Sequence, residues 1–534
     1  MKRMKKIMAL MLAAIMMMAM SVTAFAAEGA AGTCTLTVNA KGGQDLKGQT
    51  INLYKLFDVT ESTSGETKNY AYTVNTAYKT ALVNVLTKLK TSVSAIPDVT
   101  ETSTDAELAA AVSSIGAKDS ETVQKFANDF TTYALTQNSK LDATTNSGKL
   151  GEVASYEFTG LDAGYYLVYV TGGKEIQSSL VTVDSTTNTV NLKTEAPSIE
   201  KKADKETVSI GQVVKYTVTG SIPDTTGYEQ YVYKIHDTLT TGLDFVNDAT
   251  GTALREGATT VNIKVAFGEG VTDAGTAPAT ATLSGEGNRQ MVLDLSEWVR
   301  TNQANNKGKE FTVTYYAKVN KAAVVTEKNS AHLEYGNNPG ETTTTTPSEA
   351  KTPTYPLDIL KIKKDTEEIL AGAHFTLYAS TTAGVIDESK PIKVTKVADG
   401  KYSYAADQTS TDPSVITDMV TVASKIEGQG YNLHINGLAA GTYYLKETKA
   451  PDGYNKLTEA IKVTITKSTT TDENEWTLTV DKGTVDGKIV KVENSTGSLL
   501  PSTGGRGAIA FSVIAALLVF GVAVSFIRDK RKEA

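Results

Sequence analysis

An uncharged apolar run from Gly507 to Ile527 lies near the end of the chain, with four basic residues, Arg528, Lys530, Arg531 and Lys532, directly behind it. At ~1.5 Å of helical rise per residue such a run reaches about the ~30 Å of a hydrocarbon core, and the basic cluster is expected on the cytoplasmic side. A second apolar run, Ile7 to Met20, follows Lys2, Arg3, Lys5 and Lys6 and precedes Ala24, Phe25 and Ala26. Basic, apolar and small residues in that order read as a secretory signal over residues 1–26, cut between Ala26 and Ala27. Together the two runs constrain the fold more than anything between them, because the body of the chain must then fold outside the cell. Disulfides are permitted there, yet Cys34 is the one cysteine among 534 residues. The body therefore relies on core packing or on another covalent staple. Cys34 itself falls in the alternating Cys34-Thr35-Leu36-Thr37-Val38 and reads as a half-buried strand residue.

A net charge of −7 with dispersed basic residues leaves no footprint for nucleic acid. The length exceeds what one core organises, and breaks in pattern divide the body into three units, 27–195, 196–350 and 351–498, with a tail at 499–534. The expected fold is mainly β: tandem antiparallel β-sandwiches with a helical insertion in the first. Alternation is clearest over Thr50 to Phe57. From Thr76 to Gln137 the period becomes helical: Leu82, Val85, Leu86 and Leu89 share a face, Thr104 and Glu107 have capping-box spacing, and Val123, Phe126, Ala127 and Phe130 repeat the pattern. Pro197 stops any strand crossing into the second unit. Strands of that unit are expected at Val213–Thr219, Val232–Ile235, Val261–Phe267, Met291–Leu295, Phe311–Val319 and His332–Tyr335. The run Thr342 to Thr346 has no apolar side to bury and reads as the connector to a third, again β, unit. His236, His332, His374 and His434 lack metal-ligand spacing and read as strand residues, and Trp298 and Trp476 as core. No nucleophile elbow, phosphate loop or paired-carboxylate site is present, so no metal, cofactor or enzymatic activity is expected.

Between the body and the second apolar run stands Leu500-Pro501-Ser502-Thr503-Gly504. Pro501 excludes helix at Leu500 and keeps the pentapeptide extended. This motif, the apolar run and the basic tail resemble the cell-wall sorting signal of Gram-positive surface proteins. The resemblance implies that a sortase cuts between Thr503 and Gly504 and passes the threonine carbonyl to an amine.

The third unit carries Leu357, Ile359 and Lys361 on one strand parity, then Gly441 to Thr448, Ala450 to Tyr454 and Val492-Glu493-Asn494. This arrangement resembles the collagen-adhesin B-type (CnaB) immunoglobulin-like domain, in which a first-strand lysine and a last-strand asparagine join as an isopeptide bond. The resemblance implies that the sandwiches are of immunoglobulin-like, CnaB type, and it implies Lys361, with Lys363 as the alternative lysine, Asn494, and Glu447 as the assisting acid. Burial explains the residue types. A lysine in a sandwich core is desolvated, so its pKa falls and the neutral amine becomes nucleophilic; a buried carboxyl stays protonated and can polarise the asparagine amide. The second unit, with Lys201, Tyr233 to Leu239 and Asn329 to Tyr335, is similar to the middle domain of major pilins. By that likeness Lys201 or its neighbour Lys202, Asp237 and Asn329 form a second bond. In the first unit Tyr169 stands where the third has Glu447, which implies the same fold without the bond.

Thr189-Val190-Asn191-Leu192-Lys193 leads into the linker before Pro197, where backbone pilins place the lysine that accepts the next subunit. Asn191 and Leu192 replace the usual tyrosine and proline, and position selects Lys193. Across nearly the whole chain the resemblance is to a Gram-positive major pilin at the cell-wall surface. It implies as partners a pilus sortase, a housekeeping sortase, identical subunits, ancillary pilins, peptidoglycan and a host surface ligand. A monomeric wall-anchored adhesin of the same domains is the alternative, and an ancillary tip or base pilin a third.

Overall fold

The computed structural model describes residues 32–497 and 506–530, apart from 65–66, 117–119, 137–139, 173–176, 185–187, 194–195, 227–229 and 337–341. The expected signal with Ala26 and Ala27, and the motif Leu500, Pro501, Ser502, Thr503 and Gly504, lie outside the described residues.

The first unit packs two sheets. In one, β1 (Cys34–Asn39) lies between antiparallel β4 (Ser155–Leu161) and parallel β7 (Asn188–Asn191). The other runs β3 (Thr67–Val74), β2 (Thr50–Ser64), β5 (Gly164–Thr171), β6 (Gln177–Val183). Between the sheets Cys34, Leu36, Val38, Ile51 and Leu53 are buried with Phe158 and Val168. Strand β2 is buried on both faces, because Tyr54, Leu56 and Phe57 meet three helices on the sheet's other side. These are α1 (Lys79–Lys90), α2 (Asp105–Ser113) and α3 (Glu121–Thr136). Leu82, Val85, Leu86 and Leu89 form the inward stripe of α1, and Phe126, Ala127 and Phe130 that of α3, as a 3.6-residue period requires. Thr104 caps α2 reciprocally: its hydroxyl accepts from Glu107 N at 3.3 Å and its N–H donates to Glu107 Oε2 at 2.8 Å.

In the second unit, β8 (Glu200–Ala203), β9 (Val213–Ser221) and β12 (Glu310–Val319) share one sheet with Leu243–Val246. Facing it, β10 (Val232–Leu239) lies between β11 (Gln290–Asp294) and β13 (Lys328–Gly336). Three local expectations need correction. Val261–Phe267 is not one strand: Thr260–Asn262 pairs in the second sheet and Lys264–Phe267 in the first, so the chain changes sheets at Ile263. A helix, α4 (Ser296–Asn306), follows β11 and buries Trp298, Val299, Asn302 and Asn306. The threonine run is not a solvated connector. Within it β14 (Thr343–Thr344) pairs with β13, and β15 (Ser348–Lys351) follows on the same strand, setting Asn329 opposite Ala350. Asn329 thus lies on β13, with two further strands after it.

The third unit sets β16 (Tyr355–Lys363) between antiparallel β18 (Leu433–Leu438) and parallel β21 (Ile489–Asn494). Its opposing sheet includes β17 (His374–Ser380), β19 (Gly441–Lys449) and β20 (Ile461–Thr466). Leu357, Ile359, Phe375, Leu377, Leu445, Val463 and Trp476 fill the space between. This unit is closely docked on the second. Ile210 N donates to Gly437 O at 3.1 Å, Ala439 N to Ser209 Oγ at 3.0 Å, and Lys467 and Lys351 pair with Glu206 and Glu473. Gly211 has φ +85°, and a Cβ there would stand 2.1 Å from Ala406 O, so the contact excludes a side chain twice over.

A helix, α5, covers Arg506–Lys530. The expected membrane span finds no support: among the described residues no helix is long and apolar enough to cross a membrane.

Candidate cross-linking sites

Alternation places Lys201 on the inner face of β8, Tyr315 on that of β12, Asp237 on that of β10 and Asn329 on that of β13. Lys201 and Tyr315 thus come from one sheet, and Asp237 and Asn329 from the other. The side chains of Lys201 and Asp237 are fully buried and ion-paired. The Lys201 ammonium also donates to Tyr315 Oη, and the phenol donates to Asp237 Oδ2. Asn329 Nδ2 donates to the same phenol oxygen at 3.3 Å. Lys201 Nζ stands 4.9 and 4.8 Å from the ring centroids of Tyr216 and Tyr315. Burial pulls the Lys201 amine down to about 8 against the opposing pull of Asp237. Burial and then the neighbouring Asp237 push the Tyr315 phenol well above its ordinary value. Asp237 Oδ1 and Asn329 Oδ1 are buried without a hydrogen-bond partner.

The third unit assembles the same residue types differently. Lys361 on β16 and Asn494 on β21 belong to neighbouring parallel strands, offset by two residues because Lys361 pairs with Val492 and Lys363 with Asn494. Glu447 reaches them from β19 in the opposing sheet. Lys361 Nζ lies 3.5 Å from Glu447 Oε1 and donates to Val492 O at 3.3 Å. Asn494 Nδ2 donates to Glu447 Oε2 at 3.0 Å and to Asn455 O at 2.7 Å, and Leu457 N also donates to Glu447 Oε2 at 2.7 Å. Here the acid touches the carboxamide directly. Burial again lowers the lysine to about 8, with Glu447 opposing. Glu447 Oε1 and Asn494 Oδ1 have no hydrogen-bond partner.

The two alternative lysines face outward. Lys202 pairs with Glu200 with its side chain 70% exposed, and Lys363 pairs with Glu368 at 37%. Either would have to leave solvent to reach the carboxamides. In the first unit Tyr169 stacks on Tyr54 with centroids 5.5 Å apart. Lys55 is buried there, but its partners Asp58 and Asp162 are each 55% exposed, which makes an ion pair open to water. Lys193 is exposed just past β7 and its N–H donates to Gln177 Oε1, while Leu192 before it is buried. Tyr315 escaped the sequence reading because it occupies a core position of an alternating strand, as Phe311 and Val313 do. Its one distinguishing signal is a hydroxyl at a parity otherwise apolar.

Residues 356–480 match the family model described as SpaA, prealbumin-like fold domain. That span includes Lys361 and Glu447 and ends before Asn494. A search among curated proteins finds no match. Among solved structures, the chain is similar to the fimbrial protein FimP of Actinomyces oris, at 20% identity over 88% of this chain and 98% of that one, with a TM-score of 0.45. It is similar to the major pilin SpaA of Corynebacterium diphtheriae, whose structure points to a modular pilus assembly and stabilizing isopeptide bonds, at 16% identity over 87% and 100%, TM-score 0.42. The T6 backbone pilin of Streptococcus pyogenes, a modular three-domain structure, aligns at 17% identity over 87% and 98%, TM-score 0.37.

Proposed function

We propose that this chain is the backbone subunit of a covalent cell-surface fibre, joined head to tail through the Thr503 carbonyl and the Lys193 amine and stiffened by two internal Lys–Asn isopeptide bonds. The observation that carries the reading is the pair of dry clusters, Lys201–Asp237–Asn329 and Lys361–Glu447–Asn494, in a chain with a single cysteine. A buried ion pair is costly to maintain and is weak evidence of stability in itself. Two such pairs, each beside a buried asparagine, are what self-amidation requires.

In the third unit the proton of Lys361 passes to Glu447, and neutral Nζ attacks Asn494 Cγ. Glu447 protonates Nδ2, the Cγ–Nδ2 bond breaks, and ammonia leaves as Nζ yields its second proton to the carboxylate. The products are a secondary amide, one ammonia and a neutral carboxyl, from an ammonium, a carboxylate and a primary amide. The chemistry acts once, on the protein itself, so the role is structural and the chain is not an enzyme.

Assembly follows from position. Lys193 is exposed and precedes the second unit, whereas Thr503 follows the third. Joining one end of a copy to the other end of the next is heterologous and does not close, so it makes a fibre. A pilus sortase would supply the thioester on Thr503, and a housekeeping sortase would pass the last copy to peptidoglycan. The test is an immunoblot of wall extracts boiled in SDS, from native protein and from Lys193→Ala. The expected result is a high-mass ladder that collapses to monomer in the variant. A ladder that persists would move the acceptor to another lysine, and a single band in both would replace the fibre with a monomeric wall-anchored adhesin.

A further inference from the structure

We infer that the Tyr315 hydroxyl is a catalytic group of the second unit's cross-linking reaction, carrying the proton between Asp237 and the departing nitrogen of Asn329. The inference rests on the reading of Lys201, Asp237 and Asn329 as a bond-forming cluster, and it adds a fourth member.

Geometry sets the requirement. In the third unit Glu447 hydrogen-bonds the leaving nitrogen itself, at 3.0 Å from Asn494 Nδ2. In the second unit the polar contacts of Asp237 run to Lys201 and Tyr315, and Asn329 Nδ2 meets Tyr315 instead. The phenol therefore stands between the acid and the group that must be protonated. It accepts from Lys201 Nζ and from Asn329 Nδ2 and donates to Asp237 Oδ2, which uses its single donor and both its acceptor positions. With Tyr315 and Asn329 fully buried and Asp237 almost so, bulk water has no access to replace it.

The step balances. Lys201 gives a proton to Asp237, and neutral Nζ forms a bond to Asn329 Cγ. In the tetrahedral intermediate Nδ2 becomes basic. Tyr315 passes its O–H proton to Nδ2 while taking one from the Asp237 carboxyl, so the phenol is restored. The Cγ–Nδ2 bond breaks, ammonia leaves, and Nζ gives its remaining extra proton to Asp237. One N–C bond forms, one breaks, and no oxidant or further reactant is involved.

Tyr216 is the internal control. It is equally buried, its ring lies 5.8 Å from that of Tyr315, and Lys201 lies over both rings, but its hydroxyl meets Thr352 at 3.3 Å and no member of the cluster. The full chain and its Tyr315→Phe and Tyr216→Phe variants are made by timed cell-free synthesis and quenched in acid. The fraction of second-unit and third-unit peptides joined with loss of ammonia is then read by mass spectrometry. The expected result is a ~100-fold or greater slowing of the second-unit reaction in Tyr315→Phe, the lower end of what a lost proton-transfer group costs. The third unit of the same molecules and both units of Tyr216→Phe should keep the native pace. Native pace in Tyr315→Phe overturns the inference and leaves the cross-link standing. Equal slowing in both variants also overturns it, since any buried hydroxyl would then do. An unjoined second unit in the native chain overturns the reading beneath it. Should Tyr315→Phe fail to fold, 3,5-difluorotyrosine at position 315 keeps the shape and hydroxyl but makes the phenol more acidic. A proton carrier then changes pace by ~3-fold or more, and a merely packing hydroxyl does not.

Discussion

Replacing Asn494 with alanine should separate the third unit's covalent contribution from its packing. The variant cannot form the amide, and it strips Glu447 Oε2 and Asn455 O of a donor at 3.0 and 2.7 Å. Lys361 stays buried, 3.5 Å from Glu447. Opening a loop of ~130 residues releases about 5 kcal/mol of unfolded-state constraint if an isopeptide behaves as a disulfide does in the chain-entropy account. For a unit of ~150 residues, at roughly 2–4 °C per kcal/mol, the melting temperature should fall by about 10–20 °C. A second signature is specific to the lysine. Its folded value of about 8 lies below the 10.5 of an exposed amine, so between those values the unfolded chain holds more protons and stability rises with pH. Over the whole window the rise is on the order of 3 kcal/mol, most of it gained by pH 10, and the penalty is complete below 8. A native protein carrying the proposed bond holds this nitrogen as an amide, which contributes no such rise. Calorimetry of both proteins from pH 7 to 10, with intact masses, tests both signatures. Melting of the variant within ~3 °C of native, for a native protein that has lost ammonia from this unit, would refute the estimate. So would a variant whose stability falls across the window.

Other expectations are narrower. Asp237→Ala should leave the second unit with its full mass while the third still loses ammonia, so an unchanged two-ammonia loss in intact mass would remove Asp237 from the reaction. The pace of joining in either unit should fall as pH rises through about 8, because the proton that the buried lysine hands to its acid is then lost to solvent, and quenched mass spectrometry across that range checks it. The first unit, with its lysine in a water-exposed ion pair, should be the first trimmed by protease, and earlier trimming of the third would contradict that. Gly211→Val should loosen the docking of second on third unit, at roughly 1–3 kcal/mol of overpacking, and raise the small-angle scattering radius without altering either ammonia loss.

Much of this architecture was legible because strand parity is a two-valued code. Ile199 and Lys201 share a parity, as do Leu357, Ile359 and Lys361, and in both cases the lysine of core parity is buried while its alternative faces water. The helical insertion was equally readable, since its apolar stripes recur at helical spacing. Helix α4 was not, because two of its four buried residues are asparagines. Asn302 and Asn306 satisfy themselves by donating to Asp273 Oδ1 at 2.9 Å and Thr272 O at 2.8 Å, which no apolar pattern records. The change of sheet at Ile263 is silent for a related reason, since alternation continues across it while the hydrogen-bond partners change. The threonine run had no apolar face to announce a strand. It pairs through its backbone with β13, and Thr343 fills the space beside Gly48 that a Cβ would occupy. Tyr315 was hidden most completely, since parity predicts burial and says nothing of what a buried hydroxyl meets.

The two proposed bonds would carry tension differently along a fibre joined at Lys193 and Thr503. Force entering at Lys193 reaches Lys201 within eight residues of chain, crosses to Asn329 through the amide, and leaves the strands between them slack. It then follows the backbone from Asn329 to Lys361, through β13, β14 and β15 and across the docked junction of the second and third units. From Lys361 it passes directly to Asn494 on the adjacent parallel strand and on toward Thr503. Parallel neighbours pulled from opposite ends shear all their hydrogen bonds at once, and the third unit's amide lies within that ladder. The second unit's amide instead bridges the two sheets, where packing alone would have to resist their separation. Each proposed bond would therefore stand at the weakest mechanical link of its own unit. The segment left uncovered, from Asn329 to Lys361, is the one closed by paired strands, the Gly211 contact and the Lys351–Glu473 and Lys467–Glu206 pairs. The first unit hangs before Lys193 and lies off this path, which is why a sandwich without a covalent staple is tolerable there.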